Sequence, residues 1–166
     1  MSAKPTTLPG VVCLHASGGS GAQWRVLADR LRYGFRVLTP DLHGHGEGPA
    51  WSGARRDVAA ADTARIAAIA ASAGGRVHLV GHSYGGAIAL HVARDRPDLV
   101  ASVAVYEPVV LRALFDYNAR HRSAAEVAEI ASSIRRDLNG GDPMRAAHRF
   151  LRYRSTACAV HERKAA

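Results

Sequence analysis

The pentapeptide G-H-S-Y-G at 81–85 sets one serine between two glycines. L-V precedes it and G-A-I-A-L follows it, so an apolar strand ends at the motif and a helix begins there. A serine hydroxyl is a weak nucleophile until its surroundings activate it. A sharp strand-to-helix turn strains the backbone at Ser83 and exposes its hydroxyl at the carboxyl edge of a sheet. The flanking glycines let strand and helix approach closely. The N–H of Tyr84, at the helix start, then points toward a developing oxyanion. The chemistry this arrangement suits is acyl transfer through a covalent serine intermediate. The competing reading is a glycine-rich β–α turn that only packs.

Two further loops bear on the same site. His15–Gly21, H-A-S-G-G-S-G, follows an apolar run and offers the Ser17 N–H as a second oxyanion donor. Asp41–Gly48, D-L-H-G-H-G-E-G, forms a tight glycine-rich wall. His15, His82 and Trp24 are expected to line the pocket. A dinucleotide site is not supported, because G-x-G-x-x-G is not matched and no acid follows about twenty residues on at a strand end.

The elements that position these loops alternate in type. Residues 10–15, 35–39, 76–80 and 99–106 read as strands. Helices are expected at 23–31, at 57–73 and from about 84 to 94. The face of the second carries Val58, Ala61, Ile66, Ile69 and Ala73, and Gly74-Gly75 ends it as a left-handed cap would. Such alternation implies right-handed crossovers and a mostly parallel α/β sheet of about four strands, covered on both faces. After Pro108 only helices follow. Ser123 and Glu126 match a capping box, and Val127, Ile130, Ala131, Ile134 and Leu138 form one apolar face. Asp142-Pro143 starts another helix, with Met144, Ala147, His148 and Leu151 on its apolar side. Residues 153–166 show no clear period. The expected organisation is a core over 1–108, a helical segment over 109–152 and an irregular basic tail over 153–166.

The 166 residues set an expectation of one domain. Hydrophobic residues at 48% and charged residues at 22% describe a globular chain. The formal charge is +8, yet the basic residues alternate with acids, and no dense basic patch with interleaved aromatics marks a nucleic-acid surface. No apolar stretch approaches the roughly 20 residues that span a bilayer. The first ten residues lack a signal-peptide pattern. Two cysteines, Cys13 and Cys158, do not make a disulfide scaffold. A cytoplasmic location is the default expectation.

Over residues 10–110 the sequence resembles the α/β-hydrolase superfamily. H-A-S-G-G-S-G-A-Q-W resembles its oxyanion loop, P-D-L-H-G-H-G the loop after its fourth core strand, and V-G-H-S-Y-G-G its nucleophile elbow. The resemblance implies Ser83 as nucleophile and the Tyr84 and Ser17 N–H groups as the oxyanion hole. It implies a small-molecule substrate, no cofactor and no metal. Some members place the catalytic acid after the strand that ends at Tyr106, which makes Glu107 the acid. Its bland alternative is a carboxylate that grips an arginine or caps the entry to the next segment. The helices after Pro108 sit where such proteins often carry a cap.

The resemblance also implies gaps. The family's histidine comes from a loop after the last strand, and none of the nine histidines matches that motif. The chain starts at the strand that is third in the family. These features lead to the expectation of a C-terminally truncated product, with a frameshift near 150–153 as one origin. The strand ending at Tyr106 is then expected to be an exposed edge, with marginal stability or self-association as the consequence. Three readings stay open: an esterase-like serine hydrolase on a small ester, amide or carbon–carbon substrate; an inactive fragment that keeps the fold but lacks the base; and a metal-dependent hydrolase using His43, His45 and Glu47, a loose likeness to H-x-H-x-D-H.

Overall fold

A computed structural model describes residues 8–118 and 121–162, with the side chains at 55, 111, 112, 114, 118 and 154–162 outside the description. The chain divides into two compact units, 1–109 and 110–166. Among the described residues no helix is long and apolar enough to cross a membrane.

The first unit is a four-stranded sheet of β1 (Gly10–Leu14), β2 (Arg36–Leu38), β3 (Val77–His82) and β4 (Val100–Tyr106). The order is β2-β1-β3-β4 and every pairing is parallel. Parallel neighbours need a crossover, and α1 (Arg25–Leu31), α2 (Val58–Ala71) and α3 (Tyr84–Asp95) provide one each. The α/β architecture expected from the alternation is therefore the one observed. β1 has strands on both sides, and all five of its residues are buried. β4 pairs only with β3 among the described strands, and only Val100 along it is buried.

Val12, Leu14, Val77 and Leu79 from the central strands pack with Ile66 and Ala70 of α2 and Ile88 and Val92 of α3. Each fully buried side chain of this size stabilises the fold by about 1.5–3 kcal/mol relative to exposure. The buried face of α2 overlaps the expected one: Ile66 and Ala73 lie in the core and Ile69 packs against it, while Asp62, Ala67 and Ala70 are buried in place of Val58 and Ala61. Alanine is small enough to suit either face, so the pattern alone left the rotation open. Gly74, at φ +82, turns the chain after α2 as expected.

The second unit holds α4 (Leu111–Asn118), α5 (Arg122–Asn139) and α6 (Pro143–Glu162). The capping-box expectation is corrected: the N-cap of α5 is His121, whose Nδ1 accepts from the Ser123 N–H at 3.2 Å. The Asp142 carboxylate does cap α6, accepting from the Arg145 N–H at 2.9 Å. The expected apolar side of α6 is also corrected. Met144, Ala147, His148 and Leu151 are exposed, whereas Ala146 is buried. Residues 153–162 are not irregular but continue α6, because nothing there breaks a helix. Residues 163–166 of the expected tail lie outside the described residues.

α5 and α6 are tied by a buried charge. Asp137 is 3% exposed and accepts from Arg149 Nε at 2.7 Å and Arg145 Nε at 2.8 Å. These guanidiniums, Arg149 foremost, hold the Asp137 carboxyl below its ordinary range.

Candidate functional site

The turn between β3 and α3 is strained at one residue. Ser83 has φ 53 and ψ −116, a region that costs a non-glycine residue of order 1–3 kcal/mol. Hydrogen bonds hold it there. Its N–H donates to the Tyr106 carbonyl at 2.9 Å, and its carbonyl accepts from Ala87 and Val109 N–H groups, both at 3.1 Å. The flanking glycines are required by space. A Cβ at Gly81 would lie 2.5 Å from the Gly85 carbonyl oxygen, and one at Gly85 would overlap the backbone of Leu14 and His15. Ser83 itself is half-buried.

Four side chains cross-tie the loops that surround this turn. His15 is fully buried. Its Nδ1–H donates to the Ala16 carbonyl at 2.8 Å, and its Nε2 accepts from the Leu42 N–H at 3.0 Å. These bonds fix one neutral tautomer and join the loop after β1 to the loop after β2. Asp41 reinforces the same junction by accepting from the Gly21 N–H at 2.5 Å and the Glu47 N–H at 2.8 Å. These two bonds, Gly21 first, hold its carboxyl below the ordinary carboxylate range.

Gln23 joins the loop after β1 to the strained turn. Its Oε1 accepts from the Ala16 N–H at 3.1 Å, and its Nε2 donates to His82 Nδ1 at 3.0 Å. Asp62 joins α2 to the loop after β2 and to the start of α3 at once. Its Oδ1 accepts from the His43 N–H at 3.0 Å and from His43 Nδ1 at 2.8 Å, and its Oδ2 accepts from the Tyr84 hydroxyl at 2.8 Å. Burial first, and Asp62 second, push the Tyr84 phenol far above its usual value. Tyr84 therefore stays a donor.

Sequence reasoning missed Gln23, Asp41 and Asp62. Gln23 and Asp41 lie inside the two loop motifs singled out but were given no role, and Asp62 left a weaker signal as a lone acid one turn before Ile66 in an alanine-rich apolar helix. The residues that reasoning selected are spread around the turn. Tyr84 opens α3 directly after Ser83. Ser17 lies in the loop after β1, and Trp24 ends the 3-10 turn over Gly21–Trp24 with its Nε1 buried and without a hydrogen-bond partner among the described residues. His82 packs on the Tyr106 ring, centroids 5.2 Å apart. Glu107 follows β4, exposed, at φ 46. His43 and His45 do not converge: His43 turns to Asp62, and His45 Nδ1 donates to the His43 carbonyl at 2.8 Å. The described residues hold no group of three or more His, Cys, Asp or Glu side chains disposed around a metal ion. Among the described residues no histidine hydrogen-bonds to Ser83.

Chemically, the arrangement presents one serine at a strained strand-to-helix junction, with helix N–H groups beside it and two carboxylates, the buried Asp62 and the partly exposed Asp41, bracing the surrounding loops. Residues 9–134 match the family model described as the alpha/beta hydrolase fold. The chain is 39% identical over 101 residues to lipase LipV of Mycobacterium tuberculosis, a match covering 60% of this chain and 37% of the lipase. It superposes on a monoacylglycerol lipase of Paleococcus ferrophilus with a TM-score of 0.55 and 26% identity, covering 70% of this chain and 49% of that one. An epoxide hydrolase structure from hot-environment metagenomes shares the fold with a TM-score of 0.67 at 24% identity, covering 82% of this chain and 47% of that one. The chain thus matches less than half the length of each of these relatives.

Proposed function

The chain belongs to the α/β-hydrolase family, and from that premise we propose that it is built for serine ester hydrolysis of the esterase or lipase type, with Ser83 as nucleophile. One observation carries the reading. Ser83 is a non-glycine residue at φ 53, wedged between two glycines that cannot take a Cβ, at the end of a central parallel strand. Backbone strain of this kind persists only where the surroundings over-determine it, and Ser83 is left half-buried rather than enclosed.

The chemistry runs as follows. The Ser83 hydroxyl loses its proton to a base as its oxygen bonds to the substrate carbonyl carbon. The carbonyl oxygen takes the negative charge, and the Tyr84 and Ser17 N–H groups donate to it. The tetrahedral carbon expels the leaving alcohol, amine or carbanion, which takes up the proton, and an acyl-serine remains. Water then cleaves the acyl bond and restores the hydroxyl. Glu107 is the acid that orients the base, and His82 and Trp24 line the pocket; His15, expected there too, is instead fully buried and fixes the loop after β1 from behind. The substrate is a small ester, with amide and carbon–carbon substrates as chemical neighbours. The relatives named lipases support the ester class.

A second reading is favoured by one specific observation: among the described residues no histidine side chain hydrogen-bonds to Ser83, and His15, His43, His45 and His82 in the loops around it are bonded elsewhere. In that reading the chain keeps the fold and the elbow without an effective base. Residual acceleration from the oxyanion donors alone would remain. Hydrolysis of p-nitrophenyl esters from acetate to octanoate separates the two readings. The hydrolase reading expects turnover that Ser83→Ala removes. Turnover unchanged in Ser83→Ala overturns it.

A further inference from the structure

We propose that Asp62 is a positioning residue for the reaction, holding Tyr84, and through it the proposed oxyanion donor, against the loop after β2. The inference rests on the nucleophile reading above. It starts from the burial of a carboxylate: Asp62 is 0% exposed in the middle of α2. A buried carboxylate is costly unless its oxygens are hydrogen-bonded. Both oxygens are. One takes the backbone and ring N–H groups of His43, and the other takes the Tyr84 hydroxyl.

The three bonds that Asp62 accepts come from the loop after β2 and from the first residue of α3, which meet at the site. The Tyr84 ring is the lever. Its Oη is held on α2, and its own backbone N–H is the first of α3, directly after Ser83. Holding the ring anchors the residue that carries that N–H. His43 meanwhile packs on Trp51, ring centroids 5.4 Å apart, which braces the loop wall opposite. The Asp62 carboxylate thus holds two walls of one site in a single arrangement. A donor aimed at an oxyanion must be held to a fraction of an ångström to act in the transition state.

The test measures acylation by p-nitrophenyl acetate under pre-steady-state conditions, using the full chain, Tyr84→Phe, Asp62→Asn and the double variant. Tyr84→Phe keeps the ring and removes only the bond to Asp62; it keeps the wild-type circular dichroism spectrum at the assay temperature, and its melting midpoint falls because one buried carboxylate oxygen loses its donor. The expected result is acylation slowed about tenfold or more, with the apparent substrate dissociation constant unchanged. The double variant is expected to be no slower than the slower single variant, because the two residues act as one unit. Wild-type acylation matched by folded Tyr84→Phe overturns the positioning role and leaves the nucleophile reading standing. No acylation in the wild-type chain overturns the nucleophile reading, and the positioning role falls with it.

Discussion

Ser83 donates its backbone N–H to the Tyr106 carbonyl at 2.9 Å, so the pairing of β3 with β4 continues into the strained turn itself. The residue after Tyr106 is Glu107, which also has a positive φ, 46°. Two left-handed non-glycine residues therefore stand at the ends of neighbouring parallel strands. In parallel α/β sheets ligands bind at this carboxyl edge. If Glu107 orients the base, Glu107→Gln lowers ester turnover by orders of magnitude, on the order of 10⁴ where a triad acid is neutralised. Glu107→Gly, which suits the positive φ, stays folded and serves as the stability control. Equal turnover in Glu107→Gln and the parent chain removes Glu107 from the mechanism.

The close approach of α3 to β1 makes Gly85 a sensitive point. A methyl group there meets the Leu14 and His15 backbone, which cannot swing away as a side chain can. Gly85→Ala is expected to lower unfolding free energy by about 1–3 kcal/mol, the usual cost of overpacking. Urea denaturation measures it. A midpoint equal to the parent's would show that the helix can slide.

What the sequence made legible follows from how local each signal is. β1, β3 and β4 are short apolar runs between glycine or proline breaks. The elbow declares itself because two glycines and a serine sit at fixed spacing where the periodicity changes. The loop ties were not legible. Gln23 meets His82 across 59 positions, and Asp62 meets Tyr84 across 22, so only the folded chain brings these polar groups within bonding distance. The face of α2 was legible at Ile66, Ile69 and Ala73 but not at Asp62, Ala67 and Ala70, because alanine covers most of its circumference. The end of α6 was misread because a weak apolar period was taken for an absent helix, although propensity alone permits one.

Four described carboxyls are depressed, Asp41, Asp95, Asp98 and Asp137; the pairs of Asp95 and Asp98 are exposed and screened, so acid sensitivity follows chiefly from Asp41 and Asp137. A group whose pKa is lower folded than unfolded contributes stability above its unfolded value, about 3.9 for aspartate. That contribution is lost as pH falls through the depressed folded value. The melting temperature should therefore be insensitive to these groups between about pH 7 and 5 and fall below about pH 4. Asp137→Asn should flatten part of the acid limb. An acid limb identical in Asp137→Asn and the parent contradicts the role given to the Arg145 and Arg149 pairs.

The outer side of β4 is an unpaired strand edge among the described residues, and Tyr106 on it is 62% exposed. Such edges add strands from other chains unless charge blocks them. Self-association is expected to rise with concentration in size-exclusion chromatography, and Ala104→Lys is expected to suppress it. A monomer at every concentration tested contradicts this expectation.

The central claim is that Ser83 is an activated nucleophile. Fluorophosphonate labelling of the full chain, read by intact mass and peptide mapping, tests it most directly. The account predicts a single adduct on Ser83 that is absent from Ser83→Ala. A folded chain that takes no adduct, or takes it at another residue, contradicts the account.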